Sequence, residues 1–183
     1  MIAPGEALLV IDMQIGFDDI RWGRRNNPAA ELNAARLMNH WRTRKRQVVL
    51  IRHDSPDPDS PLFPDRPGNE LKPGFEPQTS DWLITKRVNS AFIDTSLQAR
   101  LSEAGIRRVT LVGLTTDQCV STTARMASNL GFATTVAEDG CACFEQTSVD
   151  GRTVSADTMH IAHLTTLHSE FARVARVSDL LNS

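Results

Sequence analysis

Residues Ala7-Leu8-Leu9-Val10-Ile11 form an unbroken apolar run that stops at Asp12. A strand with one face in water would alternate apolar and polar side chains, so a run without alternation fits a strand covered on both faces of a parallel sheet. Short β-branched runs bounded by turn residues predict five more strands, at residues 47–51, 82–86, 108–114, 133–137 and 171–177. Helical patterns fall between them. A helix opening at Pro28 would carry Ala30, Ala34, Leu37, Met38 and Trp41 on one stripe; others are expected over residues 95–104, from Cys119 to Gly131 with Val120, Ala124, Ala127 and Leu130 inward, and over 155–168. Strands and helices that alternate in this way imply an α/β, doubly wound, six-stranded and mostly parallel sheet with helices on both faces. Its ligands would sit beyond the carboxyl ends of the strands.

A chain of 183 residues is near the size of one domain, and residues 1–183 are expected to form a single unit. The 20 Lys+Arg against 22 Asp+Glu leave a net charge of -2, which gives no field for nucleic acid or an anionic membrane. The basic cluster Arg42, Arg44, Lys45 and Arg46 suits a helix C-terminus and its dipole better than a nucleic-acid patch. No basic leader or membrane-length apolar run opens the chain, and three cysteines do not make a disulfide framework, so a cytoplasmic location is expected. Seven of the nine prolines lie between residues 54 and 79. An irregular stretch of that length inside a compact fold reads as a lid over a site or as a subunit contact.

Three chemically capable residues lie at or just after predicted strand ends: Asp12, Lys86 and Cys119. A carboxylate closing an apolar run and a lysine closing another each need compensation, and each could supply it to the other, either as a structural ion pair or as part of a site. Cys119 follows the turn Gly113-Leu114-Thr115-Thr116-Asp117, in which Thr115 or Thr116 can cap a helix, so its thiol is expected in a first helical turn. Helix-terminal amides and a nearby lysine favour a thiolate, and the same amides can receive an oxyanion. Asp12 would accept the thiol proton, Cys119 would attack a carbonyl carbon, and Lys86 would orient Asp12 and favour the thiolate. His53, His160, His163 and His168 are not needed; His160 and His163 are spaced to share a helix face without a third metal ligand, which suits surface or capping roles. Two other functions compete with hydrolysis. A redox or sensing protein would use Cys119 with Cys141 or Cys143 as resolving thiol, and a nucleotide-binding module would need a glycine-rich phosphate loop, which the chain lacks.

The segments Leu8-Leu9-Val10-Ile11-Asp12-Met13-Gln14, Thr85-Lys86-Arg87-Val88-Asn89-Ser90-Ala91-Phe92 and Gly113-Leu114-Thr115-Thr116-Asp117-Gln118-Cys119-Val120 resemble, in order, motifs of the isochorismatase-like cysteine hydrolases. That superfamily includes nicotinamidases, N-carbamoylsarcosine amidohydrolases and ureidoacrylate hydrolases. The resemblance implies a catalytic triad of Asp12, Lys86 and Cys119, and a cis peptide between Leu114 and Thr115 that aims the amides of Thr115 and Cys119 at an oxyanion. It implies a small-molecule substrate with an amide, ureide or carbamoyl C–N bond, a thioester intermediate, and a homo-oligomer, dimer or tetramer. Departures from the pattern narrow it. Where nicotinamidases carry a metal-binding Asp-x-His, this chain reads Asp54-Ser55-Pro56, so no metal or other cofactor is expected; Cys119 argues against vinyl-ether cleavage by a true isochorismatase, which lacks the cysteine. Gln14, Phe17 and Trp22 after Asp12, and Asn89 and Phe92 after Lys86, are candidates for the substrate pocket, with ordinary packing as the competing reading.

Overall fold

A computed structural model describes residues 5–182. The elements run β1 (Glu6–Ile11), α1 (Ala30–Thr43), β2 (Gln47–His53), β3 (Trp82–Lys86), α2 (Leu97–Glu103), β4 (Arg108–Leu114), α3 (Ser121–Asn129) and β5 (Ala133–Ala142). A short hairpin of β6 (Gln146–Thr147) and β7 (Thr153–Val154) leads to α4 (Ala156–Glu170), β8 (Arg173–Ala175) and α5 (Val177–Leu181). Six strands form one sheet in the order β3-β2-β1-β4-β5-β8, with every neighbouring pair parallel. The fold class expected from the apolar runs is the one observed.

β1 explains why its sequence does not alternate. Leu8 and Val10 point into a core filled by Ala34, Leu37, Met38 and Trp41 of α1 and by Val177 and Leu180 of α5. Ala7, Leu9 and Ile11 point the other way, against Leu97 and Leu101 of α2, Ala124 and Ala127 of α3, and Leu164 and Leu167 of α4. Both faces are dry, so both sets are apolar. The chain winds outward from β1 through β2 to β3, then restarts at β4 on the other side. β1 and β4 therefore meet at the switch point of the sheet, where crossovers diverge and leave a crevice.

Some elements differ from expectation. β5 continues five residues past Ala137, because Glu138, Asp139 and Gly140 are taken up in an irregularity of register between Leu111 and Gly113. Asp139 is satisfied there: its carbonyl accepts from Asn33 Nδ2 at 2.9 Å and its carboxylate from the Val177 amide at 2.7 Å. The sixth strand, expected over residues 171–177, is only Arg173–Ala175, since Arg176 and Asp179 form a capping box that starts α5. Among the described residues no helix is long and apolar enough to cross a membrane.

The proline-rich stretch is fastened to the body of the fold. Leu62 and Phe75 are buried in the α1 core, the Ile15 amide donates to Glu70 O at 2.9 Å, and the Lys72 amide donates to Met13 O at 2.8 Å. The Lys72 ammonium pairs with Asp18 and, at 2.9 Å, with Glu31 of α1, which also holds Arg25 at 2.5 Å.

Candidate active site

Asp12 leaves β1 in the left-handed backbone region at φ 50°, which aspartate tolerates better than most residues, and its amide donates to Ile51 O at 2.9 Å. Lys86 is the last residue of β3, where it pairs in register with His53 of β2. Cys119 lies in a π-helical turn, Thr116–Val120, that follows β4 and runs into α3. Thr115 stands at the N-cap position without a side-chain cap bond, and the Leu114–Thr115 peptide is cis. Gly113 lets β4 come this close to β1: a Cβ on it would lie 2.0 Å from Ile11 O, at a φ of +135°.

These four strand ends bring the three residues together. Lys86 Nζ donates to Asp12 Oδ2 at 2.7 Å, to Cys119 Sγ at 3.3 Å and to His53 Nδ1 at 3.1 Å, so its three protons have three acceptors. Asp12 and Lys86 are both cut off from water, and among the described residues Asp12 Oδ1 has no hydrogen-bond partner, while the Asp12 carboxylate acts on the Cys119 thiol. Burial alone would lower the pKa of Lys86, but Asp12 and then Cys119 hold it above the usual lysine value. Burial followed by the Asp12 charge pushes the Cys119 thiol up, and the opposing pull of Lys86 does not reverse this. The helix terminus and the lysine, which favour a thiolate, are outweighed here by burial and the Asp12 charge. The resting site holds a thiol beside an ion pair. His53 is pushed down by burial and then by Lys86, which leaves it a neutral imidazole that accepts at Nδ1 and bonds the Val88 backbone with its other nitrogen.

Above the thiol is a cavity of about 170 Å³ lined by Phe17, Trp22, His53, Asn89, Thr115 and Cys119, with Ser55, Ser60 and Leu62 from the proline-rich stretch and Gln118, Phe144 and Gln146 completing it. Cys119, at 8 % exposure, opens onto this cavity. The larger hollows, about 610 Å³ beside residues 148–155 and about 510 Å³ between residues 15–19 and 61–68, are open surface grooves that none of Asp12, Lys86 and Cys119 lines.

Two pocket candidates lie elsewhere. Gln14 is wholly buried and acts as a piece of backbone: Nε2 donates to His53 O at 2.9 Å and Asn69 O at 2.8 Å, while Oε1 accepts from the His53 amide at 2.8 Å. It ties β2 to the proline-rich stretch and does not face the cavity. Phe92 stacks on Phe132 at 5.8 Å in the α3 core. His160, expected at the surface or at a cap, is half-buried, because α4 packs on the π-helical turn and sets His160 Nδ1 2.8 Å from Thr116 Oγ1. Sequence reasoning does not single out Ser55, Ser60, Leu62, Gln118, Phe144 or Gln146, and it sets His53 aside as not needed. Only His53 carried a usable signal, as the polar residue ending a buried strand next to that of Lys86.

The residues at the nicotinamidase metal position do not fit a metal. Asp54 is already paired with Arg52 at 3.2 Å and accepts from Asn69 at 3.1 Å, and Ser55 Oγ is taken by the Asp57 amide at 3.2 Å. Cys141 and Cys143 are buried free thiols pushed up to about 12, in both cases chiefly by burial.

A doubly wound sheet with thiol, carboxylate and ammonium gathered at its switch point defines a class of α/β enzyme. Residues 6–177 match the isochorismatase domain family, and the chain belongs to that family, which is one of hydrolases acting on C–N or related bonds. It is 40% identical over 177 residues to the uncharacterized isochorismatase family protein YrdC of Bacillus subtilis, covering 97% of this chain and 95% of that one. A solved isochorismatase-family structure from Chromobacterium violaceum superposes with a TM-score of 0.94 at 43% identity, over 100% of this chain and 97% of the other. A streptothricin hydrolase of Streptomyces noursei is 32% identical over 143 residues, 76% of this chain and 50% of the relative.

Proposed function

We propose that this chain is a cysteine hydrolase that cleaves the C–N bond of a small amide, ureide or carbamoyl compound through a thioester on Cys119. The observation that carries the reading is the dry contact of Lys86 with both Asp12, at 2.7 Å, and Cys119, at 3.3 Å, on the floor of an enclosed cavity. Asp12 Oδ1 takes the thiol proton as Sγ bonds to the substrate carbonyl carbon, and the amides of Thr115 and Cys119 hold the oxygen that becomes negative. The C–N bond then breaks and Asp12 returns its proton to the leaving nitrogen. A water next gives a proton to Asp12 and its hydroxide to the thioester carbon; the C–S bond breaks and the thiol is restored. Lys86 stays protonated throughout and keeps Asp12 in position, its raised pKa being the mark of that job.

The likeness to a protein named streptothricin hydrolase supports hydrolysis as the reaction type. The high pKa of Cys141 and Cys143 removes the thiolate character that a resolving cysteine needs, which favours acyl transfer over redox chemistry. Homo-oligomerisation and a cytoplasmic location remain part of the proposal. Ammonia or amine release from a panel of amides, ureides and carbamoyl amines tests it, with Cys119→Ala and a chelator as controls. Release that disappears in the variant and survives the chelator, with an acyl adduct on Cys119 by mass spectrometry, is the expected result. Undiminished release by Cys119→Ala would reject the thioester route.

A further inference from the structure

Given the hydrolase reading above, on which this step rests, we infer that the site selects substrates that carry no charge and whose non-reacting part is a planar apolar body, and that it excludes carboxylate-bearing amides. Two walls of the cavity carry the inference.

One wall is aromatic. Phe17, Trp22 and Phe144 stand in mutual contact, with ring centroids 5.3 Å apart for Phe17 and Trp22, 6.2 Å for Phe17 and Phe144, and 5.9 Å for Trp22 and Phe144. The indole N–H is spent on Gly16 O at 2.7 Å, so Trp22 offers the cavity only its ring. Phe17 and Phe144 are stacked at an interplanar angle of 14°, and a flat group laid on such a surface keeps the preferred offset geometry.

The rest of the lining includes a polar, uncharged part. Asn89, Gln118 and Gln146 line it, and among the described residues their side chains make no hydrogen bond, which leaves three carboxamides to meet the polar end of a substrate. Among the described residues no Arg, Lys, Asp or Glu lines the cavity. Asp12 and Lys86, which do not line it, neutralise each other at 2.7 Å. His53, the one titratable group in the lining besides the thiol, is used by Lys86 at 3.1 Å and offers no positive charge. A carboxylate entering the cavity would give up its water with no cation to replace it, whereas a neutral amide of the same shape would find donors and acceptors. A volume of about 170 Å³ limits the body to a single ring or its equivalent.

Terephthalamide tests both the charge and the shape. Attack on one of its amides releases one ammonia and leaves 4-carbamoylbenzoate, which has the same outline and one negative charge. The wild-type enzyme is expected to stop at one equivalent of ammonia, with kcat/KM for added 4-carbamoylbenzoate at least ~100-fold below that for terephthalamide. Gln146→Arg should release a second equivalent by supplying a cation for the carboxylate. Cys119-dependent release of two equivalents by the wild type would overturn the inference and leave the hydrolase reading standing. Protection of Cys119 from iodoacetamide gives a readout that needs no turnover: benzamide and terephthalamide should protect and 4-carbamoylbenzoate should not. Equal protection by the anion, or none by either neutral compound, also overturns the inference, while loss of the hydrolase reading is seen separately as the absence of any Cys119-dependent release across the wider amide panel.

Discussion

Asp12 and Lys86 lie 2.7 Å apart with neither side chain touching water, so each relies on the other for what solvent provides at a surface. Lys86→Met keeps the length and the apolar stem of the side chain and removes its charge. Asp12 would then have no donor on Oδ2, beside an Oδ1 that already lacks one. Taking one member from a buried pair costs about 3–5 kcal/mol. In a chain of this length about 1 kcal/mol moves Tm by 2–4 °C, so Lys86→Met is expected to lower Tm by roughly 6–20 °C. Asp12→Asn should sit at the low end of that range, because Lys86 keeps its contacts with His53 and Cys119. In the double variant no lone charge is left inside, and its loss should be smaller than the sum of the two by about 2 kcal/mol. Because the pKa of Lys86 is raised, its contribution is present at neutral pH and below and disappears only as pH climbs through that raised value. Urea titrations of the four proteins at pH 7 measure the cycle, with an unchanged m-value as the check that the folded and unfolded states are comparable. Two single losses under about 1 kcal/mol that simply add would refute the interdependence of the pair.

Asp12→Asn should also abolish turnover while making Cys119 more acidic, since the carboxylate charge is second only to burial in raising the thiol; alkylation by iodoacetamide at pH 8 should then be faster in the inactive variant than in wild type, and slower alkylation would contradict the electrostatic account. Gly113→Ala places a methyl group 2.0 Å from Ile11 O in a backbone region that L-residues avoid, and should cost about 3 kcal/mol or more in urea denaturation, with loss of activity. Burial works against ionisation of Glu31, yet hydrogen bonds from Arg25 and Lys72 hold it down at about 2. Its stabilisation should be present above the ordinary carboxylate range and fade as pH falls towards 2, so Glu31→Gln should be less stable than wild type by about 2 kcal/mol at pH 6 and converge with it in acid; parallel stability curves would show that Glu31 adds nothing.

What could be read in the sequence was what a single strand reports by itself. The apolar run before Asp12 announces a doubly covered strand, and a charge at the end of such a run marks the sheet's carboxyl edge, so Asp12 and Lys86 were visible before any contact was known. What could not be read was set by pairing and by departures from regular pairing. His53 matters because β2 and β3 place it opposite Lys86, a matter of register. Phe144 and Gln146 line the cavity because β5 carries on past Glu138 and Asp139, where polar residues had signalled its end. Gln14 and Phe92 take the packing side of the two readings for the converse reason. Closeness in sequence to a catalytic candidate does not decide which way a side chain turns, and here one replaces a stretch of sheet hydrogen bonding while the other turns to Phe132.

The direction of the Cys119 shift shows where local rules give way. A helix terminus and a lysine at 3.3 Å both favour a thiolate, and from sequence they are the only effects visible. Burial and the Asp12 carboxylate oppose them and win, but both become apparent only once β1 and β4 are side by side. A neutral resting thiol suits the proposed chemistry. With Asp12 Oδ1 free to take the proton, the nucleophile forms as the substrate carbonyl arrives, and the transfer adds no net charge to the site. A redox sensor needs its thiolate in the absence of substrate, so the raised Cys119 thiol favours the hydrolase reading over the redox one.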